Sequence, residues 1–182
     1  IEEAERELES HNIYDTSRML AVYPSRELLH RPRWQLQKLA NVIKLLKDSG
    51  LISKAVLIGS EEERAEWRAA DSEVMIDANL AGRLSLLAIG ALFSKCILAL
   101  GNDGGLMHIA GAVDCPLVVL MASTPISYRP AGKHVRAVQS ALARQSSYLR
   151  EAKNKLDPTE FTKSISVEDV FQACLQTLEA IK

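Results

Sequence analysis

The chain has 182 residues, of which 47% are hydrophobic and 25% charged, the composition of an ordinary soluble globular protein. Its 22 basic and 23 acidic residues leave a formal net charge of -1, which gives no support for a nucleic-acid-binding protein. No apolar run of these 182 residues approaches the roughly 20 residues that a membrane-spanning helix needs.

The chain opens with IEEAERELESH, an acidic stretch of helical character that does not resemble a signal peptide. Three cysteines, Cys96, Cys115 and Cys174, are scattered without a CxxC pair. This pattern argues against a disulfide framework or a zinc site and predicts small buried hydrophobic side chains in a reducing cytosol.

Short apolar runs recur along the chain and predict buried strands. They show little polar alternation, as is typical of parallel strands covered on both faces. The predicted strands are Met19–Tyr23, Ala55–Ile58, Val74–Ile76, Cys96–Leu100 and Leu117–Met121.

Segments with helical periodicity separate these strands. Trp34–Lys47 carries an apolar stripe, and Glu61–Ala70 opens with three glutamates, which favour the amino terminus of a helix. Further helices are predicted over Leu84–Phe93, Leu106–Val113 and Val167–Ile181, the last of them capped by Ser166.

Strands and helices alternating at this spacing predict an α/β fold, in which a parallel, doubly wound, Rossmann-like sheet is flanked by helices. The stretch Ala141–Lys163 is polar and rich in turn residues, and we expect it to wrap over the surface before the last helix.

A glycine-rich stretch, GNDGGLMHIAGA over Gly101–Ala112, follows the most evident strand. Its first five residues are predicted to form the loop at the carboxyl end of that strand, where open α/β sheets bind their ligands. Gly104 and Gly105 let the backbone approach a ligand closely and adopt conformations forbidden to other residues, and the following helix amino terminus can seat a phosphate.

Two polar side chains of this stretch are candidates for the same ligand. Asp103 can accept hydrogen bonds from sugar or ribose hydroxyls, and His108, about one turn into the helix, can point back toward it. The alternative is purely structural: the glycines form a turn, Asp103 caps the helix, and His108 is a satisfied structural residue.

These residues resemble the signature of glycosyltransferase family 9, the ADP-heptose:lipopolysaccharide heptosyltransferases. In that signature an apolar strand precedes Asp, Gly, His and small residues at fixed spacing, followed by a short strand and a T-x-P loop. The matching positions here are Asp103, Gly105, His108, Ala110, Ala112 and Thr124-Pro125. The segments VLIGSEEERAEW, DANLAG and SISVEDVF also resemble the family, so the likeness covers almost the whole chain.

The resemblance implies a GT-B architecture, in which two Rossmann-like domains face each other across a cleft. Residues 1–182 would be the C-terminal half of that fold, the domain that binds the nucleotide sugar, and the missing initial Met fits a boundary at the interdomain linker. The absent N-terminal domain would hold the catalytic base and the lipid-linked glycan acceptor at the cytoplasmic face of the inner membrane. Alone, this domain is expected to bind its donor but to transfer nothing.

The resemblance also assigns roles in binding the nucleotide-sugar donor, which it implies to be ADP-heptose. It implicates Asp103, the N–H groups of Gly104 and Gly105, and His108 around the diphosphate and sugar. Because the sequence has no Asp-x-Asp motif, the transfer is expected to need no metal and no cofactor besides the nucleotide sugar.

The remaining expected contacts lie elsewhere in the chain. One of Glu61, Glu62 and Glu63, with Glu62 favoured, would bind the adenosine ribose, and Leu84 would line an adenine slot. Arg31 or Arg33 would contact the phosphates or sugar. Thr124 would border the site from the T-x-P loop.

Two departures from the family pattern keep other functions open. Gly104 stands where the family has Ser or Thr, and Pro32 precedes Trp34 instead of following it. The alternatives are a GT-B relative that uses a UDP-sugar, such as a 2-epimerase, and a diverged domain that keeps the fold for binding without catalysis.

Overall fold

The computed structural model describes residues 1–25, 33–69, 76–145 and 157–181. Six parallel strands form one sheet. They are β1 (Met19–Tyr23), β2 (Lys54–Leu57), β3 (Ala78–Asn79), β4 (Leu98–Asn102), β5 (Leu117–Met121) and β6 (Val135–Gln139). Their order in the sheet is β3-β2-β1-β4-β5-β6, so the predicted doubly wound parallel sheet is confirmed.

Helices cover both faces of the sheet. They are α1 (Glu2–Ser10), α2 (Leu36–Asp48), α3 (Glu61–Ala69), α4 (Leu86–Phe93), α5 (Gly105–Ala112), α6 (Ala141–Gln145), α7 (Pro158–Lys163) and α8 (Val167–Glu179). One buried cluster joins α2 and α8 to the sheet through side chains such as Leu39 and Cys174. The opposite cluster joins α1, α4 and α5 through Leu8, Leu92 and Met107.

The strand order reverses between β1 and β4, and this reversal determines where a ligand can bind. β1 pairs with β2 on one side and with β4 on the other, and Tyr23 at its end lies opposite Gly101. Chain connections leave the two strands toward opposite faces of the sheet, which opens a crevice at their carboxyl ends.

The structure corrects the predicted loop after the fourth strand. β4 begins at Leu98, not Cys96, and continues through Gly101 and Asn102, because these two residues pair with Val119 and Leu120 of β5. The loop is therefore shorter than predicted.

The two edge strands differ from the prediction: β3 lies after the predicted segment Val74–Ile76, and β6 was not predicted at all. Ile76 precedes β3 and is not part of a strand, while positions 74 and 75 of the predicted Val74–Ile76 lie outside the described residues. β6 was not predicted, because its residues are mostly part-exposed and form no continuous apolar run.

The segment expected to wrap over the surface contains two helices in its described parts. α6 and α7 begin and end the stretch Ala141–Lys163, and Phe161 is buried at 1% exposure. Asp157 is the N-cap of α7, and its side chain accepts a hydrogen bond from the N–H of Thr159 at 2.9 Å. The prediction of a surface-wrapping stretch is therefore wrong for these ends.

Other local predictions are confirmed. Ser166 caps α8 in a reciprocal capping box with Asp169, and all three cysteines are free and buried. Burial raises the pKa of the Cys115 and Cys174 thiols to about 12. No helix in the described ranges has the length and hydrophobicity to cross a membrane.

Candidate functional site

A cleft of about 530 Å³ lies at the carboxyl edge of the sheet, beside the reversal between β1 and β4. Its lining comes from four places: the end of β1, the β2–α3 turn with the first turn of α3, the segment leading into α4 with α4 itself, and the start of α5. The lining residues are Tyr23, Gly59, Ser60, Glu62, Glu63, Gly82, Leu84, Leu86, Ile89 and Leu106.

One side of the cleft is apolar. Leu84, Leu86 and Ile89 approach it from the segment leading into α4 and from that helix, and Leu106 faces it from α5. The start of α4 is fixed by the Glu3 carboxylate of α1, which accepts hydrogen bonds from the N–H and the hydroxyl of Ser85 at 2.7 Å each. Leu84 lines this apolar side of the cleft, and its contact with adenine stays a prediction.

The acidic side of the cleft is the first turn of α3, where Glu63 has a structural role. Its carboxylate accepts from the N–H of Ser60, and the Ser60 hydroxyl lies 3.4 Å from the N–H of Glu63, a reciprocal capping arrangement. Gly59 makes room for it, since a Cβ there would lie 2.1 Å from Glu63 Oε2. Burial raises the pKa of Glu63.

The other two glutamates of this turn differ in their surroundings. Glu61 is exposed and pairs with Arg64 at 3.3 Å. Glu62 is exposed and lines the cleft. Of the three carboxylates predicted as ribose ligands, Glu62 is thus the one that lines the cleft without capping α3.

The β4–α5 turn brings together the residues of the glycine-rich stretch. Gly104 is the N-cap of α5, no side chain caps that helix, and φ of Gly104 is 177°. The alternative in which Asp103 caps the helix is therefore wrong. Gly104 has an extended backbone that any residue adopts, so the expectation that it needs a forbidden conformation is wrong too.

Steric room explains the glycine at this position. A Cβ on Gly104 would lie 2.7 Å from Cε1 and 2.9 Å from the hydroxyl oxygen of Tyr23, whose ring packs against the turn. A Cβ on Gly105, the first residue of α5, would have no atom within 4 Å. Open space therefore lies over the start of the helix, where the first N–H groups have no partner within the helix.

Tyr23 is a cleft residue that the sequence did not single out. Burial raises the pKa of Tyr23, and the negative charges of Glu63 and Asp103 raise it further, so the phenol keeps its proton. The available signal was its position: Tyr23 ends a strand that the sequence did predict, at the edge where the glycine-rich turn lies.

Asn102 is a second residue that the sequence did not single out. It is buried, its carbonyl oxygen accepts from the N–H of Trp34 at 2.9 Å, and its amide donates to the Pro24 carbonyl. Asn102 thereby connects the end of β1 and the residues before α2 to the end of β4.

The predicted basic contact is only partly described. Arg33 forms an ion pair with Glu66 of α3, and its charge lies close enough to oppose the rise in the pKa of Glu63. Arg33 is not among the cleft-lining residues, and Arg31 lies outside the described residues.

Five further predicted residues are not among the cleft-lining residues: Asp103, Gly104 and Gly105, which directly precede the lining residue Leu106, and His108 and Thr124. His108 is exposed on α5. Thr124 follows β5, and its carbonyl accepts from the Gln139 amide at 3.3 Å. Their roles as donor ligands stay predictions. Across the described ranges, no three His, Cys, Asp or Glu side chains are grouped so as to hold a metal ion.

Comparison with known proteins identifies the relatives of this chain. The model of glycosyltransferase family 9, the heptosyltransferase family, matches residues 1–159. Lipooligosaccharide heptosyltransferase 2 of Haemophilus influenzae is 33% identical over 112 residues, which make up 59% of this chain and 32% of that protein. The aligned region thus spans about a third of this curated relative.

Solved structures share the fold. The family 9 glycosyl transferase of Veillonella parvula has a TM-score of 0.76 and 21% identity, with 97% of this chain and 51% of that chain covered. The E. coli heptosyltransferase WaaC, solved with ADP, has a TM-score of 0.68 and 16% identity, with 96% and 48% covered. The chain therefore corresponds to about half of each solved relative.

Proposed function

The chain belongs to glycosyltransferase family 9, the heptosyltransferase family, and from that premise we propose that it binds the ADP-heptose donor for heptosyl transfer to the lipopolysaccharide inner core. One observation carries the proposal: a single cleft joins an apolar wall, an exposed carboxylate and the start of a helix. A nucleoside diphosphate sugar presents a flat base, ribose hydroxyls and a diphosphate in that order.

The base and ribose suit the α3–α4 side of the cleft. Leu84 and Leu86 offer an apolar surface to adenine, and the Glu62 carboxylate can accept hydrogen bonds from the ribose hydroxyls. The Haemophilus relative is a heptosyltransferase and the E. coli neighbour was solved with ADP, which supports adenine as the base.

The diphosphate suits the start of α5. Backbone N–H groups at Gly104 and Gly105, with the positive end of the helix dipole, favour an anion and would stabilise the negative charge that develops as ADP departs. Asp103 and His108 would hold the sugar, with Thr124 bordering it. Arg33 would bind a phosphate only if its ion pair with Glu66 opened and the phosphate took the place of the Glu66 carboxylate.

We place the acceptor and the catalytic base outside these 182 residues, in an N-terminal domain of a GT-B protein that meets a lipid-linked glycan at the cytoplasmic face of the inner membrane. No metal or further cofactor is proposed, since the helix start supplies the positive field that a metal would otherwise provide.

Titration calorimetry of this chain with ADP, ADP-heptose, UDP and GDP tests the donor assignment. We expect heat with the two adenine nucleotides and much weaker binding of UDP and GDP. A preference for UDP would favour a UDP-sugar enzyme such as a 2-epimerase. Absence of heat with all four would contradict a working donor site and favour a diverged binding domain.

Substitution of Glu62 tests the ribose contact. Glu62→Gln should weaken ADP binding about tenfold, because a hydrogen bond to a charged acceptor is replaced by one to a neutral amide. Glu61→Gln is the matched control in the same helical turn, and its ADP affinity should stay unchanged. Equal effects of the two substitutions would indicate a general charge effect and remove Glu62 from the site.

A further inference from the structure

We propose that Tyr23 is a donor-contacting residue whose phenol O–H donates a hydrogen bond to the diphosphate of the nucleotide sugar. This inference rests on the proposed function, because it requires the cleft to hold a nucleoside diphosphate. It adds a side-chain hydroxyl to a site whose glycine-rich turn supplies none.

Tyr23 lies where the two halves of the sheet meet. It is the last residue of β1, its Cα pairs with Gly101 of β4, and it lines the cleft. A Cβ on Gly101 would lie 2.4 Å from the carbonyl oxygen and 2.8 Å from the Cβ of Tyr23. The glycine at 101 thus allows the tyrosine to come close to the β4–α5 turn.

The phenol occupies the space that a side chain at position 104 would need. Its hydroxyl oxygen lies 2.9 Å from the position that a Cβ on Gly104 would take. The backbone of Gly104 is extended, so its conformation does not require glycine, and the lack of space for a side chain does. A serine at 104 would put its own hydroxyl oxygen one bond from that Cβ. The tyrosine hydroxyl and a serine hydroxyl at 104 are therefore alternative ways to place one donor at the start of α5.

The surroundings of the phenol keep it a donor. Burial and the carboxylates of Glu63 and Asp103 raise the pKa of Tyr23, and a hydrogen bond with the Ser25 side chain opposes them. Ser25 has a φ of 61°, a left-handed conformation that non-glycine residues seldom adopt. This arrangement holds a protonated phenol beside the helix start.

Tyr23→Phe removes the hydroxyl and keeps the aromatic ring, so it tests the hydroxyl alone. We expect the variant to bind ADP about tenfold more weakly by calorimetry, because a hydrogen bond to a charged phosphate is lost. Its affinity for adenosine, which lacks the diphosphate, and its melting temperature should match those of the parent chain. An unchanged ADP affinity, or equal losses for ADP and adenosine, would overturn the inference while leaving the proposed function intact.

If the parent chain itself binds no ADP, the proposed function fails and the inference fails with it. A rescue pair provides an independent test in the binding-competent protein. Tyr23→Ala should weaken ADP binding, and adding Gly104→Ser, for which the smaller residue 23 leaves room, should recover most of the lost affinity. A folded double variant that binds ADP no better than Tyr23→Ala would overturn the inference.

Discussion

The two ends of the cleft are built by different means. At the apolar end, the surfaces offered to a ligand are side chains, Leu84, Leu86 and Ile89, on a segment whose helix is fixed by Ser85 and Glu3. At the α5 end, the groups that we propose for the diphosphate are mainly backbone N–H groups, whose position depends on how closely neighbouring chain segments approach.

This difference predicts unequal tolerance to substitution. A side chain at the apolar end can be shortened without moving the backbone that carries it. At the α5 end, a single added methyl group at Gly101 meets the backbone of β1, so the strand must shift and the ligand groups shift with it.

Gly101→Ala should have the largest effect. The new Cβ would lie 2.4 Å from the Tyr23 carbonyl oxygen, and overpacking against backbone should lower the free energy of unfolding by about 3 kcal/mol. Urea unfolding measures the loss, and calorimetry under folding conditions should show weakened ADP binding.

Gly111→Ala is the matched control for that experiment. Its Cβ would lie 2.0 Å from the Ala131 carbonyl oxygen, another backbone clash that involves α5 but lies away from the cleft lining. It should destabilise the fold similarly and leave the affinity of the folded protein for ADP unchanged. If both variants lose ADP affinity equally, the loss comes from general destabilisation and not from a clash close to the α5 end of the cleft.

Asn102→Ala should have the next largest effect, a loss of about 2 kcal/mol in the free energy of unfolding. The substitution leaves the N–H of Trp34 and the carbonyl of Pro24 without their buried partner. Asn41→Ala, on the exposed face of α2, is the control and should change stability by less than about 0.5 kcal/mol. Similar losses in both variants would show that the Asn102 hydrogen bonds contribute little.

Most of the central sheet could be predicted because its signal is local. β1 and β5 are continuous apolar runs buried on both faces, and their predicted bounds match the structure. β3 has only two residues, and β6 at the edge is mostly part-exposed, so neither carries the apolar pattern by which a buried strand is found.

The sequence identified candidate site residues only where a local motif marks them. The glycine-rich turn, Leu84 and Glu62 could be named from sequence, and the structure brings Leu84 and Glu62 to the same cleft. Tyr23 and Asn102 could not be singled out, because their roles come from contacts with residues 81 and 68 positions away, Gly104 and Trp34. Which of three adjacent glutamates caps α3 was likewise a matter of packing.

Leu84→Ala probes the apolar end directly. Loss of apolar area that the base would cover should weaken ADP and adenosine alike by about fivefold, which corresponds to little more than one buried methylene at roughly 0.8 kcal/mol each. Leu87→Ala is the control, because Leu87 is 88% exposed near the start of α4 and does not line the cleft. A loss confined to ADP would mean that Leu84 acts through the diphosphate end, and the distinction between the two ends would fail.

The smallest effect should come from the charge of Glu63, which lines the cleft and raises the pKa of Tyr23. Burial raises the pKa of this carboxyl in the folded protein, so folding is favoured below the ordinary value of about 4.3 and loses that contribution as pH rises toward the raised value. Glu63→Gln keeps an oxygen to accept from Ser60 and removes the charge. It should therefore melt on the order of 2 °C higher than the parent at pH 7, relative to their difference at pH 4. Glu61→Gln, whose glutamate is exposed, should show no such dependence on pH, and a similar shift in both would assign the effect to the net charge of the helix start instead of to burial.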